Sequence, residues 1–463
     1  MSTVLRGGVF PAGTTVSVYP ASSRPLDGQP AGTAVATATV DSSLAVTFNL
    51  APGAYVAHAV VGGADRYSRF LVEDAAVAAA PKVAGVLFSG HSVIEGGPGD
   101  TTGAMVANRM TTKYCSLLGA SENNIGKGSA GLQIDNSTNS TSGVPTVPWS
   151  TSGGWTGIFK ALKWSTMAKT STPLLSPLQV AVLMHAYGDM AITGAENFAA
   201  KFKPLLRATL NVLRCGAAYA YDDATIAYSG GTGSTIAATN FSRSGSVHQF
   251  ATAGGTATIT VPSWYPGGLP IDVGGIWVVG GKNFEVEVTI NGTRKAAYDL
   301  DVAALIDGPA GNNPEWQPWQ IRIPASELAA GENTIVLTFV ASGTWQAAWF
   351  DYWQIESQEP PVIQLAEMYY PETYSDFWLT ATPMNAAAVD ACNAACEEVA
   401  AEYADGRVRF VTGFDAVMSS GGRFQSDGIH PNALGAAELA AVLYDDLMAA
   451  GLTPERLART GVA

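Results

Sequence analysis

At 463 residues the chain has room for two or three domains, and 47% apolar against 14% charged residues is a globular composition, which excludes a disordered chain. A net charge of −14 lacks the basic surface that nucleic-acid binding needs and disfavours an anionic membrane face. No apolar run is long enough to span a membrane, and Cys115, Cys215, Cys392 and Cys396 have no zinc-type spacing and read as small apolar residues, so no metal or cofactor is expected.

Residues 1–8 hold no apolar leader segment, so no secretory signal is expected. Short alternating or apolar runs at 14–19, 33–40, 44–50, 55–61 and 67–72 are separated by Pro, Gly and Asp. They predict a small β-sandwich over residues 1–78, an attachment or spacer unit in which His58 is a strand-face residue. Residues 73–81 read as an alanine-rich linker.

Residues 79–214 alternate strand and helix. A short apolar strand at 85–88 runs into the turn Ser89-Gly90-His91-Ser92. A serine on a sharp turn after a buried strand exposes its hydroxyl, and a helix starting there sets backbone N–H groups beside it, which suits a developing anion. A helix is predicted over 101–118, with Met105, Val106, Met110, Tyr114 and Leu117 on one face. Residues 123–131 form a polar, glycine-rich loop. Residues 135–154, together with Trp149 and Trp155, are rich in Ser, Thr, Asn, Pro and Gly and suit the wall of a cleft. Residues 179–190 read as a buried strand entering a loop, and 196–213 as a long amphipathic helix.

From 215 to 357 the pattern becomes about eight short strands with Gly, Asn-Gly and Pro turns, a jelly roll of two sheets. Segments 330–337 and 349–356 resemble the closing strands of carbohydrate-binding jelly-roll modules. Trp264, Trp277, Trp316, Trp319, Trp345, Trp349 and Trp353 are concentrated here. An exposed tryptophan can stack on a sugar ring, but for any one of them a core position is the commoner fate. Strand 361–370, helix 385–403 and strand 408–413 then resume the α/β pattern over 358–463. The jelly roll therefore reads as an insertion that a short linker should be able to replace.

After the last strand come Asp427 and His430. Pro431 holds His430 extended and favours a helix immediately after it, predicted over 433–449. Of the five histidines only His430 has such a neighbouring carboxylate, and a serine, a histidine and an aspartate in these roles make a nucleophilic triad.

Gly90-His91-Ser92-Val93-Ile94-Glu95-Gly96 and Asp427-Gly428-Ile429-His430-Pro431 together resemble the Gly-Asp-Ser-x-x-x-Gly and Asp-x-x-His-Pro blocks of the SGNH/GDSL hydrolases, with His91 where the family has Asp. The resemblance covers about 82–214 and 358–455 and implies a three-layer α/β/α domain. It also implies Ser92 as nucleophile, His430 as base and Asp427 as its orienting carboxylate. The oxyanion would be met by the N–H groups of Ser92, of Gly131 (or Gly128) and of Gly188. The family's Gly-x-Asn-Asp falls on Ala186-Tyr187-Gly188-Asp189, so its asparagine is missing, and the Gly188 N–H, His185 or Tyr187 would have to substitute. The implied function is a serine esterase acting on acyl esters of a cell-envelope glycan or glycolipid. The alternative is a non-catalytic glycan-binding or structural protein on a degenerate hydrolase fold. The order of units also resembles minor tail proteins of phages that infect actinobacteria, which implies other tail proteins as partners and a place in the virion tail; secretion is the alternative.

Overall fold

The computed structural model describes residues 2–6, 12–20, 33–40, 45–50, 53–61, 64–72, 83, 85–96, 108–126, 179–186, 195–237, 246–263, 265–278, 284–302, 316–342, 347–371 and 386–457. It is a sheet-rich mixed α/β structure. In the N-terminal unit, β1 (Ser2–Arg6) pairs antiparallel with β4 (Ala45–Asn49). A second sheet runs β3 (Ala36–Thr39), β2 (Thr15–Pro20), β5 (Gly53–Val61), β6 (Ala64–Val72). Val16, Val18, Ala57 and Ala59 alternate along one sheet and bury with Phe48 and Leu50 of the adjoining segment, so both sheets share one small core.

The next elements are β7 (Gly85–Gly90), α1 (Ser92–Glu95), α2 (Met110–Leu118), β8 (Ser121–Asn124), β9 (Val180–Met184) and α3 (Ala195–Leu213). Helix α2 begins its regular turns at Met110, with Gly119 in the left-handed conformation closing it; the remainder of the helix expected from residue 101 falls largely outside the described residues.

Among the described residues, twelve strands follow within the insertion: β10 (Cys215–Ala220), β11 (Ile226–Ser229), β12 (Gly233–Ala237), β13 (Ser246–Phe250), β14 (Gly255–Val261), β15 (Ile271–Val278), β16 (Phe284–Ile290), β17 (Thr293–Arg294), β18 (Leu300–Asp301), β19 (Trp316–Ile323), β20 (Asn333–Ala341) and β21 (Ala348–Glu356). They form two antiparallel sheets. One runs β12-β13-β21-β15-β19 with β10 on β21, and the other runs β11-β14-β20-β16-β17 with β18 on β16. Strands β14 and β16 alternate buried residues with half-buried or exposed ones, as strands with one core face do. Strand β21 is buried almost throughout: it is an inner strand, between β13 and β15, and its Gln354 reaches the Asn211 carbonyl of α3. Entry and exit strands β10 and β21 are paired, Cys215 against Glu356, so the insertion closes at its own neck.

The chain returns through β22 (Val362–Ala366), α4 (Ala386–Ala401), β23 (Val408–Val411), α5 (Phe414–Met418), α6 (Ala433–Ala449) and α7 (Pro454–Leu457). Strands β8-β7-β9-β22-β23 pair in parallel in that order. This is the doubly wound order 2-1-3-4-5, whose direction of growth reverses between β7 and β9. In such sheets, ligands collect at the carboxyl ends of the strands beside that reversal. Helix α2 packs on α6, and α3 packs on α4.

The topology sets the insertion at the other end. Strand β9 ends near the carboxyl edge, α3 runs back to the amino edge, and β22 leaves from there. The jelly roll therefore hangs from the amino ends of the parallel strands, about one strand length, ~17 Å, from their carboxyl ends. It is not loosely hung. Asn211 on α3 donates to Gln320 Oε1 at 2.8 Å, accepts from Arg322 and from Tyr403 at 2.9 Å each, and offers its carbonyl to Gln354 at 2.8 Å. Arg214 pairs with Glu356 and Asp405 at 2.6 Å, and Arg322 pairs with buried Asp272 and with Glu356. Buried side chains of both units also form one continuous apolar core. This is a different connection from the replaceable module expected from sequence.

Candidate active site

The site starts at the end of β7. A Cβ on Gly90 would stand 2.5 Å from the Met184 carbonyl oxygen, so only glycine lets β7 pass this close to β9 before the chain turns. The His91 N–H donates to that same carbonyl at 3.2 Å. His91 then caps the short α1: its Nδ1 accepts from the Val93 N–H at 3.4 Å, which leaves Ser92 as the first helical residue. A first-turn N–H has no acceptor within its own helix, so the Ser92 N–H is available to an anion by position. Gly96, with φ 108°, ends the helix, and Asn124 Nδ2 on β8 ties down the Ile94 carbonyl at 2.6 Å.

The second part is the turn before α6. The Asp427 Oδ1 accepts the N–H groups of Ile429 at 2.9 Å and His430 at 3.0 Å. Gln425 and His430 close the loop with an N–H···O bond of 2.7 Å, and the Tyr369 hydroxyl donates to the Ile429 carbonyl at 2.9 Å. Asn432 caps α6 by accepting from Leu434 and Gly435. His430 therefore sits on a turn fixed from both sides.

The structure brings the three residues together. Asp427 Oδ2 lies 2.6 Å from His430 Nδ1, and His430 Nε2 lies 2.7 Å from Ser92 Oγ. Ser92 and His430 are buried, whereas the Asp427 side chain is about one-third exposed. Burial alone would raise the Asp427 pKa. The backbone N–H groups of His430 and Ile429, and then the His430 ring, overcome this and hold the carboxyl below its ordinary range. Asp427 is thus a carboxylate when His430 is neutral, and it selects the tautomer with the proton on Nδ1, which leaves Nε2 free to accept from Ser92.

Two further histidines lie buried close by. His185, just past β9, holds Ser89 Oγ at 2.7 Å through Nε2. Burial pushes its pKa down to about 3, and its Nδ1 is buried with no partner among the described residues. His91 is also pushed to about 3, by burial first and then by His430 and His185. Both rings are neutral at ordinary pH. His185 is occupied with Ser89, an arrangement different from the oxyanion donor considered for it. Gly128, Gly131, Tyr187 and Gly188 lie outside the described residues, as do Trp149, Trp155, Trp264 and Trp345. Of the jelly-roll tryptophans with described side chains, Trp319 and Trp353 are core and Trp349 is half-buried. The clamp by Tyr369 went unread in the sequence; its only signal is a tyrosine just past a buried strand.

A hollow of about 180 Å³ adjoins this centre, lined by Val93, Asn108, Arg109, Gln425, Pro431 and Asn432 among others. A cavity of about 570 Å³ lies elsewhere, between α3 and the jelly roll. Among the described residues no cluster of side chains suits a metal ion, and no helix is long and apolar enough to cross a membrane.

No family model matches the sequence, and no curated protein matches it. Similar solved structures include a family 36 carbohydrate-binding module of a multidomain xylanase from the hindgut metagenome of Trinervitermes trinervoides. It is 14% identical, with a TM-score of 0.22, over 30% of this chain and 96% of that one. A family 35 carbohydrate-binding module from Clostridium thermocellum is 18% identical at a TM-score of 0.22, over 30% and 97% of the respective chains. The exo-β-1,3-galactanase of Phanerochaete chrysosporium is 21% identical at a TM-score of 0.21, over 30% of this chain and 29% of its own.

Proposed function

We propose that the chain is a serine ester hydrolase of the SGNH type acting on acyl groups carried by a glycan or glycolipid. The observation that carries this reading is the unbroken run of short bonds from Asp427 through His430 to Ser92. Ser92 Oγ attacks the ester carbonyl while His430 Nε2 takes its proton, and Asp427 holds the imidazolium that results. The oxyanion forms within reach of the Ser92 N–H. His430 returns the proton to the leaving alcohol as the acyl–serine ester forms; water, activated by the same nitrogen, then releases the acid and frees Ser92. The strand order 2-1-3-4-5 and the paired helices α2/α6 and α3/α4 support a three-layer α/β/α reading of this unit. A fluorophosphonate probe tests the function: labelling of the wild-type protein that Ser92→Ala removes supports it, and an unlabelled wild-type protein refutes it.

A second reading, a glycan-binding protein on a degenerate hydrolase fold, draws on His91 in place of the family's aspartate and on the missing oxyanion asparagine. Unlabelled protein that still binds glycan would favour it. The order of units suits a minor tail protein with other tail proteins as partners, and mass spectrometry of purified virions checks that location.

A further inference from the structure

The cavity of about 570 Å³ exists only because two units meet. Leu205, Ala208 and Asn211 of α3 and Tyr403 face it from one side, and Gln320 and Arg322 of the jelly roll face it from the other. By the chain path given above it lies toward the amino ends of the parallel strands, away from Ser92.

Its charges are already matched. Arg207 holds Glu402 with two bonds, of 2.7 and 2.6 Å. Arg214 is held by Glu356 and Asp405, and Arg322 by Asp272 and Glu356. An anionic ligand would have to draw a guanidinium away from its carboxylate, and a cationic ligand the reverse; either leaves a partly buried charge unpaired. An uncharged, hydroxyl-rich ligand meets no such cost. Its hydroxyls can accept from the outer edges of the guanidiniums and donate to carboxylate lone pairs that the ion pairs leave open. The stems of Pro204, Leu205 and Ala208 and the Tyr403 ring give apolar surface for the C–H face of a sugar. Arg214 lies over that ring at 5.0 Å and holds it in place. The volume falls in the usual range of ligand sites, ~300–1,000 Å³.

We propose that this junction cleft binds a short neutral saccharide, as a site separate from the Ser92 centre. It anchors the protein to a polymer without presenting the bound segment to the nucleophile. The site needs both units: neither α3 with Tyr403 nor the jelly-roll sheet alone encloses it.

The test uses the full chain carrying Ser92→Ala, so that turnover plays no part and failure of the esterase reading leaves the outcome untouched. An array of neutral and acidic oligosaccharides, including xylotriose, cellotetraose, β-1,3-galactotriose and trigalacturonate, identifies a binder, and titration calorimetry measures it. Ala404→Trp places an indole at the exposed rim of the cleft, and Arg207→Gln with Glu402→Gln removes one matched pair at no change in net charge. The expected result is binding of a neutral saccharide, weakened at least tenfold by each variant with the melting temperature preserved. Absence of any neutral binder, affinity unchanged in both variants, or equal affinity for trigalacturonate would overturn the proposal.

Discussion

The Nε2 of His430 stands 2.7 Å from the Ser92 hydroxyl although 338 residues separate the two in sequence. The parallel sheet closes that gap. Ser92 follows β7, an inner strand at the reversal of the sheet, and His430 enters from the turn before α6, which packs on α2 beside it. The whole jelly roll is spliced into the interval at the opposite end of the strands, so it lengthens the sequence between the two residues without parting them.

Removing either end of that bond is expected to abolish turnover. His430→Ala or Ser92→Ala should lower kcat on p-nitrophenyl acetate by about 10⁴-fold or more. Asp427→Asn should lose a comparable factor, because the amide favours the wrong imidazole tautomer. His91→Ala removes a cap and a buried ring but no proton-transfer group, so it should cost about 2–4 kcal/mol of stability and, where folded, keep measurable turnover. Equal loss of rate in folded His91→Ala and His430→Ala would reject these roles.

Both blocks of the candidate site were legible because each is local: a strand, a glycine and a serine in one place, an aspartate three residues before a histidine and a proline in the other. Most strands were legible for the same reason, since Phe284–Ile290 and Asn333–Ala341 alternate or run apolar. Ser121–Asn124 was not, because its four polar residues become a strand only by pairing with β7. Nor were Cys215–Ala220 and Gly233–Ala237, whose small residues carry weak β preference. The junction cleft left no trace at all in the sequence. Its lining comes from short pieces of α3, β19, β21 and the turn after α4, which only the fold brings together.

Excising the jelly roll is expected to unfold the protein or to lower its melting temperature sharply. The cut strips Arg214 of Glu356 and Asn211 of Gln320, Arg322 and Gln354. A gentler form of the same experiment is Asn211→Ala in the full chain. It takes an acceptor from Arg322 and Tyr403 and a donor from Gln320, keeps the backbone bond to Gln354, and should cost about 1–3 kcal/mol in urea unfolding. A deletion protein as stable as the full chain would mean that this polar seam contributes nothing.

Stability should fall on mild acidification. His91 and His185 have folded-state pKa values of about 3, below the ordinary 6.5. Above pH 6.5 both rings are neutral, folded or unfolded, and stability is independent of their titration. Between 6.5 and 3 the unfolded chain takes up protons that the folded chain refuses, so stability declines as pH falls, by up to ~1.4 kcal/mol per pH unit for each ring. His185→Gln can keep an amide near Ser89 while removing one titration. Whatever the substitution itself costs at pH 8, its stability should therefore decline less steeply than that of wild type between pH 6 and 4, as read from urea unfolding at each pH. Parallel acid limbs in the two proteins would show that His185 is not the neutral buried base described here.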